Sequence, residues 1–142
     1  MKIRKLRIED YPKLVSLWTK AGLPFKPRGR DSPEAVAKQM TENPDFFIGA
    51  FEDEKLIGAV IASSDGRKGW INRLAVDPEY RRRGVAKALI AEAERVLSQK
   101  GIRIFCALIE DSNTASKELF KKCGYVEHRG IIYFSKRESD DI

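Results

Sequence analysis

The sequence predicts one α/β domain, a mixed central sheet of about six or seven strands flanked by about four helices. Three observations lead there. Strand-like apolar runs alternate along the chain with amphipathic helical ones. The segment Leu74-Ala75-Val76-Asp77-Pro78 leads into Arg81-Arg82-Arg83-Gly84, which opens a long helical pattern. Residues 102–109 form a nearly continuous apolar run, expected of a strand covered on both faces. A length of 142 residues suits one such unit, large enough to bury about two-thirds of its unfolded surface.

Taken in order, residues 3–8 alternate apolar and basic side chains, as a half-exposed strand does. Glu9-Asp10-Tyr11-Pro12 starts a helix lined by Leu14, Val15, Leu17, Trp18 and Ala21 and stopped at Gly22. Residues 23–30 hold two prolines and no periodicity, so they form a loop. Asp31-Ser32-Pro33-Glu34 begins a second helix carrying Val36, Ala37 and Met40, and Asn43-Pro44 closes it. Strands follow over 46–52 and 56–64, joined by the polar turn Asp53-Glu54-Lys55. Asp65-Gly66 then turns the chain into a strand over 70–76.

From about residue 85 to 100, Ala86, Leu89, Ile90, Ala93, Val96 and Leu97 share one helix face, with Gly101 as the stop. After the apolar run, Asp111, Ser112 and Asn113 offer caps for a last helix, whose buried stripe is Ala115, Leu119, Phe120 and Cys123. Residues 126–128 and 131–135 predict a closing hairpin through Arg129-Gly130, and the charged tail 136–142 is expected to fray.

Composition narrows the function classes. No apolar run approaches the ~20 residues of a membrane span, and Lys2, Arg4, Lys5 and Arg7 leave no room for a signal-peptide core. A cytoplasmic protein with no membrane partner is expected. Cys106 and Cys123 are isolated in apolar contexts, which predicts two buried free thiols. His128 is the only histidine, so a zinc site or His-based nucleophile has little support and metal-free chemistry is expected. The net charge of +6 suits nucleic acid or a multiply charged nucleotide-like cofactor. The basic residues lack the interleaved aromatics of a single-strand binder, which makes nucleic acid an unlikely partner.

The Arg/Gly loop carries the chemistry. A turn that opens a helix points backbone N–H groups and the positive end of the helix dipole at an anion. Gly84 and the small Ala86 leave the main chain approachable, and the arginines add charge. A solvated turn before a helix is the plainer reading of Arg-Arg-Arg-Gly alone. Its placement between a strand and a helix, with a second motif downstream, favours an anion cradle.

Arg81, Gly84 and Ala86, behind Leu74-Ala75-Val76-Asp77-Pro78, resemble the (Arg/Gln)-x-x-Gly-x-(Gly/Ala) loop of the GNAT superfamily of N-acetyltransferases. Residues 110–116 and Leu119-Phe120-Lys121-Lys122-Cys123-Gly124-Tyr125 are similar to that family's Asn-led helix and its Gly-aromatic ending. Ile3-Arg4-Lys5-Leu6 resembles its opening strand, so the likeness spans nearly the whole chain.

The resemblance implies a GNAT-like fold whose fourth and fifth strands splay apart, with acetyl-coenzyme A in the gap and no metal. It implies that the amides of Arg82, Arg83, Gly84, Val85, Ala86 and Lys87 hold the pyrophosphate. Leu74, Ala75 and Val76 would pair with the pantetheine arm, an N–H near them would polarise the thioester carbonyl, and Asn113 would hydrogen-bond the pantetheine. Asn113 reads equally as a helix cap.

Catalytic groups depart from the family pattern. Phe120 stands where many members place a tyrosine acid, and Leu108 where some place a glutamate base. Tyr133 and Tyr125 are the replacement acids that the predicted hairpin offers. Glu110 is the candidate base, acting through water, and reads also as a helix-start carboxylate. At pH 7 a lysine amine must lose ~4.6 kcal/mol of protonation preference, an α-amino group only ~1.1 kcal/mol. Weak base equipment therefore leans toward a low-pKa amine.

In the resembled fold the loop between the first two helices lines the acceptor groove, where Lys26, Arg28 and Arg30 would grip a carboxylate or phosphate on the acceptor. A solvent-facing basic loop is the alternative. The expected function is transfer of an acetyl group from acetyl-coenzyme A to a primary amine of a small molecule, peptide or protein. The alternative is a non-catalytic acyl-coenzyme A sensor. A homodimer fits the resemblance without being required by any residue.

Overall fold

The computed structural model describes residues 1–142. Five strands, β1 (Lys2–Lys5), β2 (Phe47–Glu52), β3 (Lys55–Ser64), β4 (Gly69–Val76) and β5 (Phe105–Cys106), form one mixed sheet in sequence order. β1 to β4 run antiparallel, neighbour to neighbour, while β5 lies parallel to β4. Four helices accompany them: α1 (Tyr11–Ala21), α2 (Pro33–Glu42), α3 (Val85–Gln99) and α4 (Thr114–Lys122). None is long and apolar enough to cross a membrane.

The helix boundaries follow local chemistry. Pro12 sits in the first turn of α1, where its missing N–H costs no hydrogen bond, and Gly22 ends that helix at a left-handed φ of 73°. Ser32 caps α2, its hydroxyl oxygen accepting the Ala35 N–H at 3.1 Å. α1 and α3 each pack on β3 and β4, with the sheet between them. Trp18, Leu14 and Leu17 fill the α1 side, and Leu89, Ile90, Ala93 and Leu97 come from α3; all are nearly inaccessible. Gly58 permits the close approach of α3, because a Cβ there would lie 2.7 Å from Val85 Cγ1.

Three expectations fail. The apolar run 102–109 contributes only two residues to the sheet, and Ile104 and Leu108 are exposed. The hairpin over 126–128 and 131–135 does not form; Val126, Ile131, Ile132, Tyr133 and Phe134 are 64–87% exposed. The two failures share a cause. Strand propensity is realised by pairing, and a two-residue β5 offers almost no edge on which a hairpin could build. The sheet accordingly has five strands. The two thiols are free but half-buried rather than buried.

The tail does not fray in the expected way. Arg28 Nη2 lies 3.3 Å from Asp141 Oδ1, and Arg30 Nη1 donates to the main-chain oxygen of Ile142. The tail backbone closes on Gly29, where a Cβ would sit 2.4 Å from the Asp141 carbonyl oxygen. Gly29→Val should expel it, raising the rate of tryptic cleavage after Lys136 and Arg137 by about tenfold. Limited proteolysis with mass detection reads this directly.

One buried ion pair fixes the entry to α1. Arg4 donates to both Asp10 oxygens, at 2.8 and 3.1 Å, and the Arg7 N–H donates to Oδ2 at 2.8 Å. The Arg4 hydrogen bonds hold the Asp10 carboxyl below the usual carboxylate range, against the opposing effect of burial. A depressed folded-state value means that the pair's contribution is complete above about pH 4 and lost as pH falls through that value. Asp10→Asn should lower unfolding free energy by about 2 kcal/mol at pH 7. Urea titrations at descending pH should show the two proteins converging.

Candidate active site

β4 loses one partner after its first two residues. Its parallel ladder with β5 ends at Trp70 and Cys106, so residues 71–76 have β3 along one edge and no strand along the other. This is the splayed gap, and it leaves the main chain at Leu74, Ala75 and Val76 beside an opening. A bulge lies in the same stretch. Ile61 pairs with Asn72 and Ala59 with Ala75, so Arg73 and Leu74 face Val60 alone. Arg73 takes a left-handed φ of 54° there, uncommon for a residue with a Cβ.

Asp77 terminates β4. It is 2% exposed, its N–H donates to Ile57 O at 2.8 Å, and its carboxylate accepts the Glu79 N–H at 3.0 Å. Lys55 Nζ approaches the same carboxylate at 3.6 Å. The chain is thereby turned into the arginine loop in a fixed direction.

Within that loop Arg82 and Gly84 both take left-handed conformations, with φ of 64° and 80°. The N–H groups of Arg82, Arg83, Gly84, Val85, Ala86 and Lys87 find no backbone acceptor; the first bond of α3 runs from the Ala88 N–H to Gly84 O at 3.0 Å. A row of unpaired donors at a helix start is an anion cradle. Arg81, Arg82 and Arg83 are exposed around it, and the Arg83 guanidinium lies 5.1 Å over the Tyr80 ring. A Cβ on Gly84 would meet nothing within 4 Å, so glycine serves here for its φ and for the clear space in front.

Following β5 in the chain, Asn113 caps α4, its Oδ1 accepting the Ser116 N–H at 3.1 Å. Its amide NH2 stays free, so the cap leaves a donor available. Glu110 is exposed, and its carbonyl accepts the Asn113 N–H at 2.9 Å. Tyr133, at 64% exposed, belongs to no strand, so the fold does not bring it to β4 as the missing hairpin would have done. Phe120 is buried edge-to-face against Tyr125, with centroids 4.9 Å apart. Tyr125 donates its hydroxyl to Glu94 Oε2 at 2.6 Å. Burial, then the Glu94 carboxylate, push that phenol's pKa up. No three His, Cys, Asp or Glu side chains gather in one place.

Arg28 and Arg30 are drawn to the tail, as described above. The residue that sequence reasoning missed is Arg73. Nη1 donates to Pro24 O at 2.6 Å, Nη2 lies 3.6 Å from Asp31 Oδ2, and the guanidinium stands 4.5 Å over the Trp18 ring. Burial pushes its pKa down against the pull of Asp31. The available signal was a lone arginine within the apolar run before Leu74.

Comparison with known proteins agrees with this architecture. The model of the acetyltransferase (GNAT) family matches residues 3–125. An acetyltransferase of Photorhabdus laumondii is 32% identical over 138 residues, covering 96% of this chain and 95% of that protein. The PaiA N-acetyltransferase of Thermoplasma acidophilum, solved in complex with coenzyme A, superposes with a TM-score of 0.72 at 29% identity, covering 86% of this chain and 87% of that one. The fold is shared also with AAC(6')-Iy bound to a bisubstrate analogue, at a TM-score of 0.78 and 24% identity, covering 96% and 97%. With the family match spanning most of its length, the chain belongs to the GNAT family of acetyltransferases.

Proposed function

We propose that this protein transfers an acetyl group from acetyl-coenzyme A to a primary amine. The observation that carries the reading is the row of unpaired N–H groups at Arg82, Arg83, Gly84, Val85, Ala86 and Lys87, beside the unpaired edge of β4. Together they fit a ligand with a pyrophosphate at one end and an amide-bearing arm at the other. Membership of the family, and the coenzyme A held by the PaiA relative, support that donor.

Acetyl-coenzyme A supplies an activated acetyl group that an amine can attack directly. The chain's own residues divide the remaining work. The loop amides bind the pyrophosphate, with Arg81, Arg82 and Arg83 adding positive charge. The main chain of Leu74, Ala75 and Val76 pairs with the pantetheine arm, and an N–H near the bulge stabilises negative charge on the thioester oxygen. The free amide NH2 of Asn113 reaches the arm from the α4 side.

Proton handling is sparse. Phe120 lies in the core and cannot donate, and Tyr125 is held by Glu94. Glu110 is solvated and serves as base only through water. This arrangement suits an acceptor that is already substantially neutral near pH 7. Lys26 in the loop after α1, with Arg28 and Arg30 once released from Asp141 and Ile142, suits an acceptor that carries a negative group, small molecule or peptide alike.

Calorimetric titration tests the donor site. Wild-type protein should bind acetyl-coenzyme A one-to-one, and Gly84→Glu should weaken binding about a hundredfold through lost amide contacts and charge repulsion. Retained affinity in that variant would remove the loop from the site. A screen of amines for thiol release then separates the enzyme from a non-catalytic acyl-coenzyme A sensor, which would bind donor and turn over none.

A further inference from the structure

We infer that Arg73 is a positioning residue through which the donor strand orders the acceptor loop. The inference rests on the donor site proposed above and names what connects it to the acceptor side. Arg73 immediately precedes Leu74, on the bulge of β4, so its backbone moves with the strand edge assigned to pantetheine. Its side chain leaves the strand and grips both ends of the loop that follows α1, Pro24 through the hydrogen bond from Nη1 and Asp31 through charge.

Asp31 is itself built into that loop. It is 6% exposed, its Oδ2 accepts the Lys26 N–H at 2.8 Å, and its carbonyl accepts the Tyr11 hydroxyl at 2.6 Å. Between the two gripped points lie Lys26, Arg28 and Arg30, the only basic side chains of the loop. A single guanidinium thus ties both ends of this segment to the bulge, while Arg28 and Arg30 at its middle reach the tail.

The grip is not fully closed. Nε and Nη2 of Arg73 are buried without a hydrogen-bond partner, and so is Trp18 Nε1 beneath them. Orphaned buried donors of this kind are uncommon in native proteins and call for a reason. Nε and Nη2 form the edge of the fork that takes a carboxylate in bidentate fashion. Asp31, whose Oδ2 lies 3.6 Å from Nη2, is the only carboxylate within ion-pair reach of Arg73. An approach of roughly 0.8 Å would turn that contact into a charge-assisted hydrogen bond of ordinary length.

Donor binding along Leu74, Ala75 and Val76 fixes the bulge, and with it the base of the Arg73 side chain. The Asp31 carboxylate then closes on the waiting edge, and the loop carrying Arg28 and Arg30 becomes ordered for the acceptor. Arg73 touches neither substrate in this account. It acts through Asp31 and Pro24.

Tryptic cleavage after Arg28 and Arg30, followed by mass spectrometry with and without saturating acetyl-coenzyme A, reads the coupling without an acceptor. In wild type the donor should slow cleavage about tenfold. In Arg73→Met cleavage should be fast and indifferent to donor, while calorimetric donor affinity stays within about threefold of wild type. Arg73→Lys, which keeps the charge and a single donor nitrogen in place of the planar fork, should restore part of the donor response. Asp31→Asn retains an acceptor for the Lys26 N–H and removes only the ion pair. It should also lose the response, and it serves if Arg73→Met does not fold.

A purely structural tether would give a different result, with Arg73→Met accelerating cleavage by the same factor in both conditions. That outcome overturns the inference, as does donor protection of wild-type size in the variant. Wild-type protein that binds donor without protecting the loop overturns the coupling alone. Wild-type protein that binds no donor overturns the proposed function, and the coupling with it.

Discussion

A strand that runs out of partners governs this molecule. β4 is paired on both edges only at its start, and from residue 71 onward one edge of its main chain faces a gap. Unpaired backbone groups carry a standing demand for hydrogen bonds, which water or a ligand must meet. The bulge at Arg73 and Leu74 sharpens the divergence, and the buried Asp77 fixes the turn that follows. Beyond that turn, whose own N–H groups at Asp77, Glu79 and Tyr80 are paired, the arginine loop and the start of α3 present a second row of unsatisfied donors. The proposed donor site, the loop after α1 and the core beneath them are all referred to this one strand.

Much of that arrangement was legible in the sequence because its signals are local. Pro12 and Gly22 bracket α1, Ser32 caps α2, and the apolar stripe of α3 ends at Gly101, each by chemistry within a few residues. The cradle was equally legible, since a left-handed glycine before a helix needs only its own φ and the helix's first turn. What could not be read depends on partners distant in sequence. Residues 131–135 have the composition of a strand, but whether they pair is decided by how much edge β5 presents. Arg73 looked like a polar interruption, and its meaning lies in Pro24 and Asp31, more than 40 residues away in the chain.

The candidates for proton transfer differ from those for donor binding for a physical reason. The proposed donor contacts use main-chain amides, which every sequence possesses and which the loop only has to orient. Proton transfer needs a particular side chain at a particular point. Glu110 and Tyr133 are exposed, and Phe120 is committed to packing against Tyr125. On the proposed reading, deprotonation depends on the intrinsic acidity of the acceptor's ammonium group.

The uncovered run from Ile131 to Phe134 has a consequence for the protein's behaviour in bulk. Four consecutive large apolar residues, 64–87% exposed, make a sticky segment with strand propensity and no strand to join. Such segments drive self-association into cross-β aggregates unless charge interrupts them. Here Arg129 stands on one side and Lys136 and Arg137 on the other, with an overall charge of +6 behind them. Lys136 and Arg137 act as the gatekeepers, Arg129 being tied to Glu127, and the repulsion that opposes self-association weakens as added salt screens it.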